Sequence, residues 1–413
     1  MRQLKNPLVL LVGLLLFTMA ARYNPAQLTP AQLLAVVTDP TGFRPLPAWL
    51  SVLTARSAYA IVVLLGLLGL YAMLSGWRAH RVGILYAIFI TLMGIRDLNV
   101  DAPTASLVAV VVGILFFAIG RVPDDAHGCA RLEQRLITGF VLYISLMTVA
   151  NCLLIVKGIG YLQHRFEGLA FHPNALGQMV AIAGVAMLSI AVNEDYSRPL
   201  RAWVFAVSMG DLYLLLSSGS RGALVVYVFS AAMLAYQMKA SPRLIVSALL
   251  VALALDWVRG LIDTSNPDIL LRLISTNNDR TEAFLRMWDA FMANPVFGSG
   301  SDVGASENAF LKALAATGVV GGAVFVAFVY SALRLALVGL RERVRRGPGA
   351  RLAFFGRIIA AIALSMVVDG YTVERASLSG ALVLLSVTAI MASLRASGRA
   401  AFSRAHRSGR AAR

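Results

Sequence analysis

At 413 residues the chain is 58% hydrophobic and only 14% charged, with a mean hydropathy of +0.74, which excludes an ordinary soluble domain of this length. The formal net charge of +16 raises nucleic acid as a partner until its distribution is considered. Two cysteines exclude a disulfide framework, Cys129 being expected in a cytoplasmic loop and Cys152 in a span, and the five histidines show no metal-ligand spacing.

Apolar runs of membrane-crossing length recur along the chain. They predict an all-α polytopic membrane protein with about 12 transmembrane helices, at 7–21, 57–76, 81–96, 104–120, 136–157, 174–192, 201–217, 222–239, 244–262, 308–338, 352–369 and 378–394. The first run follows Arg2 and Lys5 and ends Thr18-Met19-Ala20, so it reads either as an uncleaved anchor, which we favour, or as a cleaved signal. The tenth is too long for one crossing, and its cytoplasmic end is expected to project as a stalk. Residues 1–394 form a single transmembrane domain with an extracytoplasmic catalytic loop at about 263–307, and 395–413 form a basic, disordered cytoplasmic tail.

Lys and Arg in the loops set the orientation. With both termini cytoplasmic, the inner segments hold 24 of the 37 basic residues, including the cluster Arg341 to Arg346 and the Arg-rich tail. The outer segments hold 15 of the 21 acids. The inner face is then about +18 and the outer about −2, which accounts for the high pI without nucleic acid. The tail reads as a retention signal for topology, which we favour, or as a basic segment lying on anionic membrane lipid.

Four segments of unusual composition fall on the outer side. Phe171-His172-Pro173-Asn174 opens the sixth span, and His164, Arg165 and His172 share the preceding loop, where they are candidates for acceptor contact. Ser217-Ser218-Gly219-Ser220-Arg221-Gly222 forms a tight turn between the seventh and eighth spans. Arg221 there begins a helix whose free N–H groups face outward, an arrangement suited to an anion. The guanidinium can grip phosphate oxygens with two parallel donors; a topological arginine snorkelling at the interface is the equal alternative. Within the seventh span, Asp211 either orients Arg221 or packs against a polar neighbour.

The third segment begins at Arg280. Phe284, Met287, Trp288 and Phe291 follow at the spacing of one helical face, predicting a helix over 280–292 that lies flat in the membrane interface. Asn294-Pro295-Val296-Phe297-Gly298-Ser299-Gly300 comes next. The fourth segment, Ser306-Glu307-Asn308-Ala309-Phe310-Leu311, leads into the tenth span, with Ser306 as the expected cap. Glu307 reads either as a dipole-complementing residue or as a carboxylate that takes a proton from a sugar hydroxyl. Lys312 reads as a snorkelling or paired residue. Asp369, Tyr371, Glu374 and Arg375 form a further outer loop without a distinctive pattern.

Taken in order, these segments resemble the superfamily of O-antigen ligases and O-antigen or exopolysaccharide polymerases, over roughly residues 165–325. Ser220-Arg221-Gly222-Ala223 is similar to the family's first arginine motif, and Arg280 stands fifteen residues before Pro295 as its second arginine does. Asn308-x-x-Leu311-x-x-Leu314-x-x-x-Gly318 resembles the segment after the family's catalytic histidine. Where the ligases carry that histidine this chain has Glu307, which favours the polymerase branch.

The resemblance implies a metal-independent membrane glycosyltransferase without a cofactor, working with inversion on undecaprenyl-diphosphate-linked glycan at the periplasmic face of the bacterial inner membrane. The acceptor would be another lipid-linked glycan, with a flippase and a chain-length regulator as prospective partners. Arg221, Arg280 and Glu307 would be catalytic. Arg221 and Arg280 would also bind the diphosphate, with Ser220, Gly222, Asn308, His172 and Arg165 in the substrate site. The alternatives are a ligase acting on a lipid A core acceptor and a polytopic lipid-glycan transporter.

Overall fold

The computed structural model describes residues 6–22, 43–99, 103–119, 121–123, 126–162, 164–170, 172–238, 280–300, 308–341, 348–368 and 378–411. Thirteen helices run through them: α1 (Pro7–Ala20), α2 (Ala48–Ala55), α3 (Ser57–Leu74), α4 (Arg81–Asn99), α5 (Pro103–Ile119), α6 (Ala126–Val156), α7 (Pro173–Ala191), α8 (Arg198–Ser218), α9 (Arg221–Met238), α10 (Arg280–Ala293), α11 (Ala309–Leu340), α12 (Pro348–Val368) and α13 (Leu378–Ala411). Two short antiparallel pairs complete them: β1 (Arg78–Ala79) with β2 (Arg121–Val122), and β3 (Tyr161–Leu162) with β4 (Arg165–Phe166). Six of these helices carry segments long and apolar enough to cross a membrane, and α2 with α3 would make a seventh if counted as one bent span. The chain is thus an all-α, multi-pass membrane protein. Helices stand at eleven of the expected spans, and the ninth, 244–262, lies outside the described residues.

Small residues decide how closely the helices approach. Gly13 of α1 and Gly139 of α6 face each other, and a Cβ at either would lie 2.8 Å from the opposing side chain, Leu142 or Val12. With no hydrophobic force between helices in lipid, such close van der Waals contact is what associates them. Leu8, Val12, Leu15 and Leu16 are all buried, so α1 packs into the bundle. Cys129 lies inside α6 rather than in a loop, because that helix starts ten residues earlier than the apolar run suggests, with the Cys129 thiol donating to the Pro123 carbonyl.

Two polar clusters among the described residues mark the two ends of the bundle. At one end, Arg395 donates to the Val122 and Pro123 carbonyls, His80 Nε2 lies 3.0 Å from Thr388 Oγ1, and Arg351 pairs with buried Glu133 at 3.7 Å. Burial and the nearby Arg395 lower the His80 pKa to about 4. At the other end lie the β3–β4 hairpin, the α8–α9 turn, the 294–300 loop and the start of α11. Asn308 is tied there to the end of α12 by a 3.1 Å bond from Nδ2 to the Val367 carbonyl. Gln237, near the far end of α9, donates to the Leu340 carbonyl, and Gly339 beside it lies against Leu352 near the start of α12, so α9 and α12 run antiparallel. Val367, and with it Asn308, is therefore at the same end as Arg221.

The expected stalk on the tenth span is not present. The last residues of α11 pack instead: Gln237 donates to the Leu340 carbonyl at 2.6 Å, and Gly339 lies against the Leu352 backbone. The surplus length is at the opposite end, where α11 breaks at Gly318 (φ 63, ψ −166). From Val319 to Leu340 the remaining helix is of span length, roughly 33 Å.

Candidate functional site

The α8–α9 turn is built for a sharp reversal. α8 ends on Gly219 in the left-handed conformation (φ 60, ψ 26), and its N–H donates to the Leu216 carbonyl. Two residues later α9 begins at Arg221, the Ser220 carbonyl accepting from Leu224 N–H at 3.0 Å. Gly177 of α7 supports the turn from beneath: a Cβ there would lie 2.6 Å from Ser220 Cβ and 2.8 Å from Ser218 Oγ. Gly222 is buried, while Arg221 is half-buried. A cation in the first turn of a helix has the wrong sign for the dipole. A bound anion would offset that charge and accept from the N–H groups of the first turn.

Arg165 holds this turn to the neighbouring loop. It is buried, its Nε donates to the Ser218 carbonyl at 2.8 Å, and its Nη2 makes a short bond to Asn174 Oδ1. Asn174 in turn donates its backbone N–H to Nδ1 of His172, the N-cap of α7, with Pro173 at the first helical position. The His172-Pro173-Asn174 segment is thus a capping device joined through Arg165 to the arginine-bearing turn. His164 takes a left-handed φ of 58 at the hairpin between β3 and β4. The described contacts make Arg165 and His172 the frame of the site.

Glu167 was not singled out by sequence, yet among the described residues it is the most unusual acid at this end. It is 2% exposed, lies beside Arg165, and its Oε1 has no hydrogen-bond partner among the described residues. Burial pushes its pKa up to about 8 despite the opposing pull of Arg165. The available signal was its place two residues after Arg165, which in an extended segment puts both side chains on one side. Asn151 of α6 secures the same loop, accepting from Leu169 N–H at 2.9 Å.

Asp211 resolves as interior packing. It is 1% exposed, accepts from Thr148 Oγ1 at 2.5 Å and lies against Gly184. Seven residues separate it from the end of α8, about 10 Å along the axis, so the polar-neighbour reading prevails over one in which it orients Arg221.

Arg280 opens α10, which spans Arg280–Ala293 as expected. Met287 is buried where α10 meets α11, whereas Phe284, Trp288 and Met292 remain exposed. The loop that follows is spliced into the break in α11. Ser299 and Gly300 donate N–H to the Ala315 and Ala316 carbonyls at 2.8 and 3.0 Å. Val319 and Val320 donate to the Pro295 and Val296 carbonyls at 2.8 and 3.3 Å. Glycine is required on both sides: a Cβ on Gly298 would lie 2.4 Å from the Ala316 carbonyl carbon, and one on Gly318 would lie 2.2 Å from the Val296 oxygen.

Asn308 caps α11, accepting from Phe310 and Leu311 N–H at 2.9 and 3.0 Å. This corrects the expectation that Ser306 is the cap. Ser306 and Glu307, like the loop 369–377, lie outside the described residues. Lys312 is half-exposed in the first turns of α11. No family model matches the chain, and no curated protein matches it.

Proposed function

We propose that this protein is a glycosyltransferase of the bacterial inner membrane that polymerises undecaprenyl-diphosphate-linked repeat units for O-antigen, capsule or exopolysaccharide. It would span the membrane twelve times with both termini cytoplasmic, and its site would face the periplasm. The reading rests above all on Arg221, a guanidinium in the first turn of a helix on a glycine-cornered turn held by Arg165. Such a corner offers a phosphate both oriented N–H groups and a two-pronged cation. Support comes also from the amphipathic α10, which begins at Arg280 and exposes Trp288 and Met292 as a helix at the lipid headgroups would.

In this mechanism Arg221 and Arg280 hold the diphosphate and stabilise the charge that develops on it as the glycosidic bond breaks. Glu307 takes the proton of the incoming hydroxyl, which attacks the anomeric carbon from the opposite face with inversion. Arg221→Ala and Arg280→Ala should each abolish polymer with the protein still inserted, and Arg→Lys should restore little, because one point charge cannot reproduce the paired donors. Activity should persist in EDTA. The carrier-bound product in a deletion strain separates the branches. One repeat unit per carrier supports the polymerase, whereas long untransferred polymer would assign the protein to the ligases.

A further inference from the structure

A groove on the α4–α5 pair, away from the proposed reaction, is shaped and charged for a ligand of its own. The two helices cross closely where Gly113 meets Thr91, a Cβ at 113 falling 2.5 Å from Thr91 Oγ1. On their outer side lies an open groove of about 370 Å³, lined by Ile84, Ile88, Thr91, Leu92, Ile114 and Phe117. The Thr91 hydroxyl is bonded to the Ala87 carbonyl at 2.8 Å, so the walls are effectively apolar.

One mouth of the groove is cationic. Arg121 places its guanidinium carbon 5.2 Å from the centre of the Phe117 ring and donates Nη1 to the Trp77 carbonyl at 3.2 Å. Its buried Nε has no partner among the described residues. Arg81, exposed at the start of α4, stands one turn before Ile84. From Ile84 to Leu92 the groove runs about 12 Å along the helix, close to the apolar depth of a single leaflet.

We propose that this groove holds an acyl chain of an anionic phospholipid whose phosphate is bound by Arg121 and Arg81. A phosphate oxygen at the half-buried Arg121 guanidinium would take a charge-assisted bond. A zwitterionic headgroup brings its own cation to a mouth that already has two, so net charge selects the anionic lipid. The groove's length favours a chain confined to one leaflet over a longer isoprenoid.

The test uses the full-length protein in detergent, incubated with equimolar phosphatidylglycerol and phosphatidylcholine of identical chains, with retained lipid read by native mass spectrometry. Wild type should retain the anionic lipid about tenfold over the zwitterionic one, and Arg121→Gln should reduce that ratio several-fold. Ile114→Trp, which fills the groove without touching the charges, should lower retention of both lipids. Arg407→Gln in the basic tail should change nothing. The assignment is overturned by equal retention of the two lipids in wild type, or by a preference that survives both Arg121→Gln and Ile114→Trp but falls with Arg407→Gln. Preferential retention of an added isoprenyl phosphate over phosphatidylglycerol would equally overturn it.

Discussion

Replacing Gly318 with alanine should open the splice between the 294–300 loop and α11. Two costs arise at once. The backbone at φ 63, ψ −166 is accessible essentially only to glycine, which costs an alanine about 1–3 kcal/mol. The new Cβ would also stand 2.2 Å from the Val296 oxygen, a backbone atom that cannot rotate away. Relief requires the loop to withdraw, and with it go four main-chain hydrogen bonds, each contributing about 0.5–1.5 kcal/mol. A shift of at least about 3 kcal/mol raises the open population on the order of 100-fold. Hydrogen exchange followed by mass spectrometry should show that acceleration in peptides carrying Ser299, Gly300, Val319 and Val320, with the rest of α11 unchanged. Gly76→Ala is the control, since Gly76 has φ 66 but nothing within 4 Å of an added Cβ, so only the conformational cost of about 1–2 kcal/mol remains. Unchanged exchange in the Gly318 variant would refute the reasoning.

Three further expectations follow from particular residues. Glu167 holds its proton up to about pH 8, whereas an unfolded glutamate loses it near pH 4, so the native state binds the extra proton between those values and stability falls as pH rises through them. The full effect is on the order of 5 kcal/mol, and the melting temperature of wild type should drop between pH 6 and 9 while Glu167→Gln removes most of that slope; parallel curves would reject it. Glu307→Gln should collapse turnover with lipid-linked substrate still bound and Glu307→Asp should keep some activity, whereas full activity in the Gln variant would leave Glu307 no part in proton transfer. Single cysteines at Asn294 and Ser299, which are exposed and half-exposed, should react with an impermeant thiol reagent added to spheroplasts and one at Gly347 should not, the reverse pattern inverting the topology.

Much of the helical layout is readable from apolar runs, because in lipid the backbone must satisfy itself within each segment and leaves a long, unambiguous stretch. The α10 helix was equally plain from its apolar spacing. What escaped reading had no such periodicity. Glu167 lies in an irregular loop, and its burial depends on Arg165 and on contacts made by α6 and α8. Ser306 and Asn308 are equally good caps by residue type, and only the bonds from Phe310 and Leu311 decide for Asn308. The splice is made of backbone groups, which carry no residue signature except the glycines at 298 and 318 that permit it. Arg221 was recognisable as a residue, but Gly177 and Arg165, which brace its turn, belong to other segments.

The splice and the Asn308 cap hold Gly300 and Asn308, the described residues on either side of 301–307. Gly300 is fastened to Ala316 of α11, and Asn308 caps α11 and bonds to Val367 of α12. The points where the chain leaves and rejoins the bundle are therefore set by main-chain bonds and one asparagine, none of which draws on a side chain from within 301–307. Substituting Gly298 or Gly318, whose missing Cβ atoms permit the splice, would release Gly300 and shift one of those two points without altering the segment's own sequence.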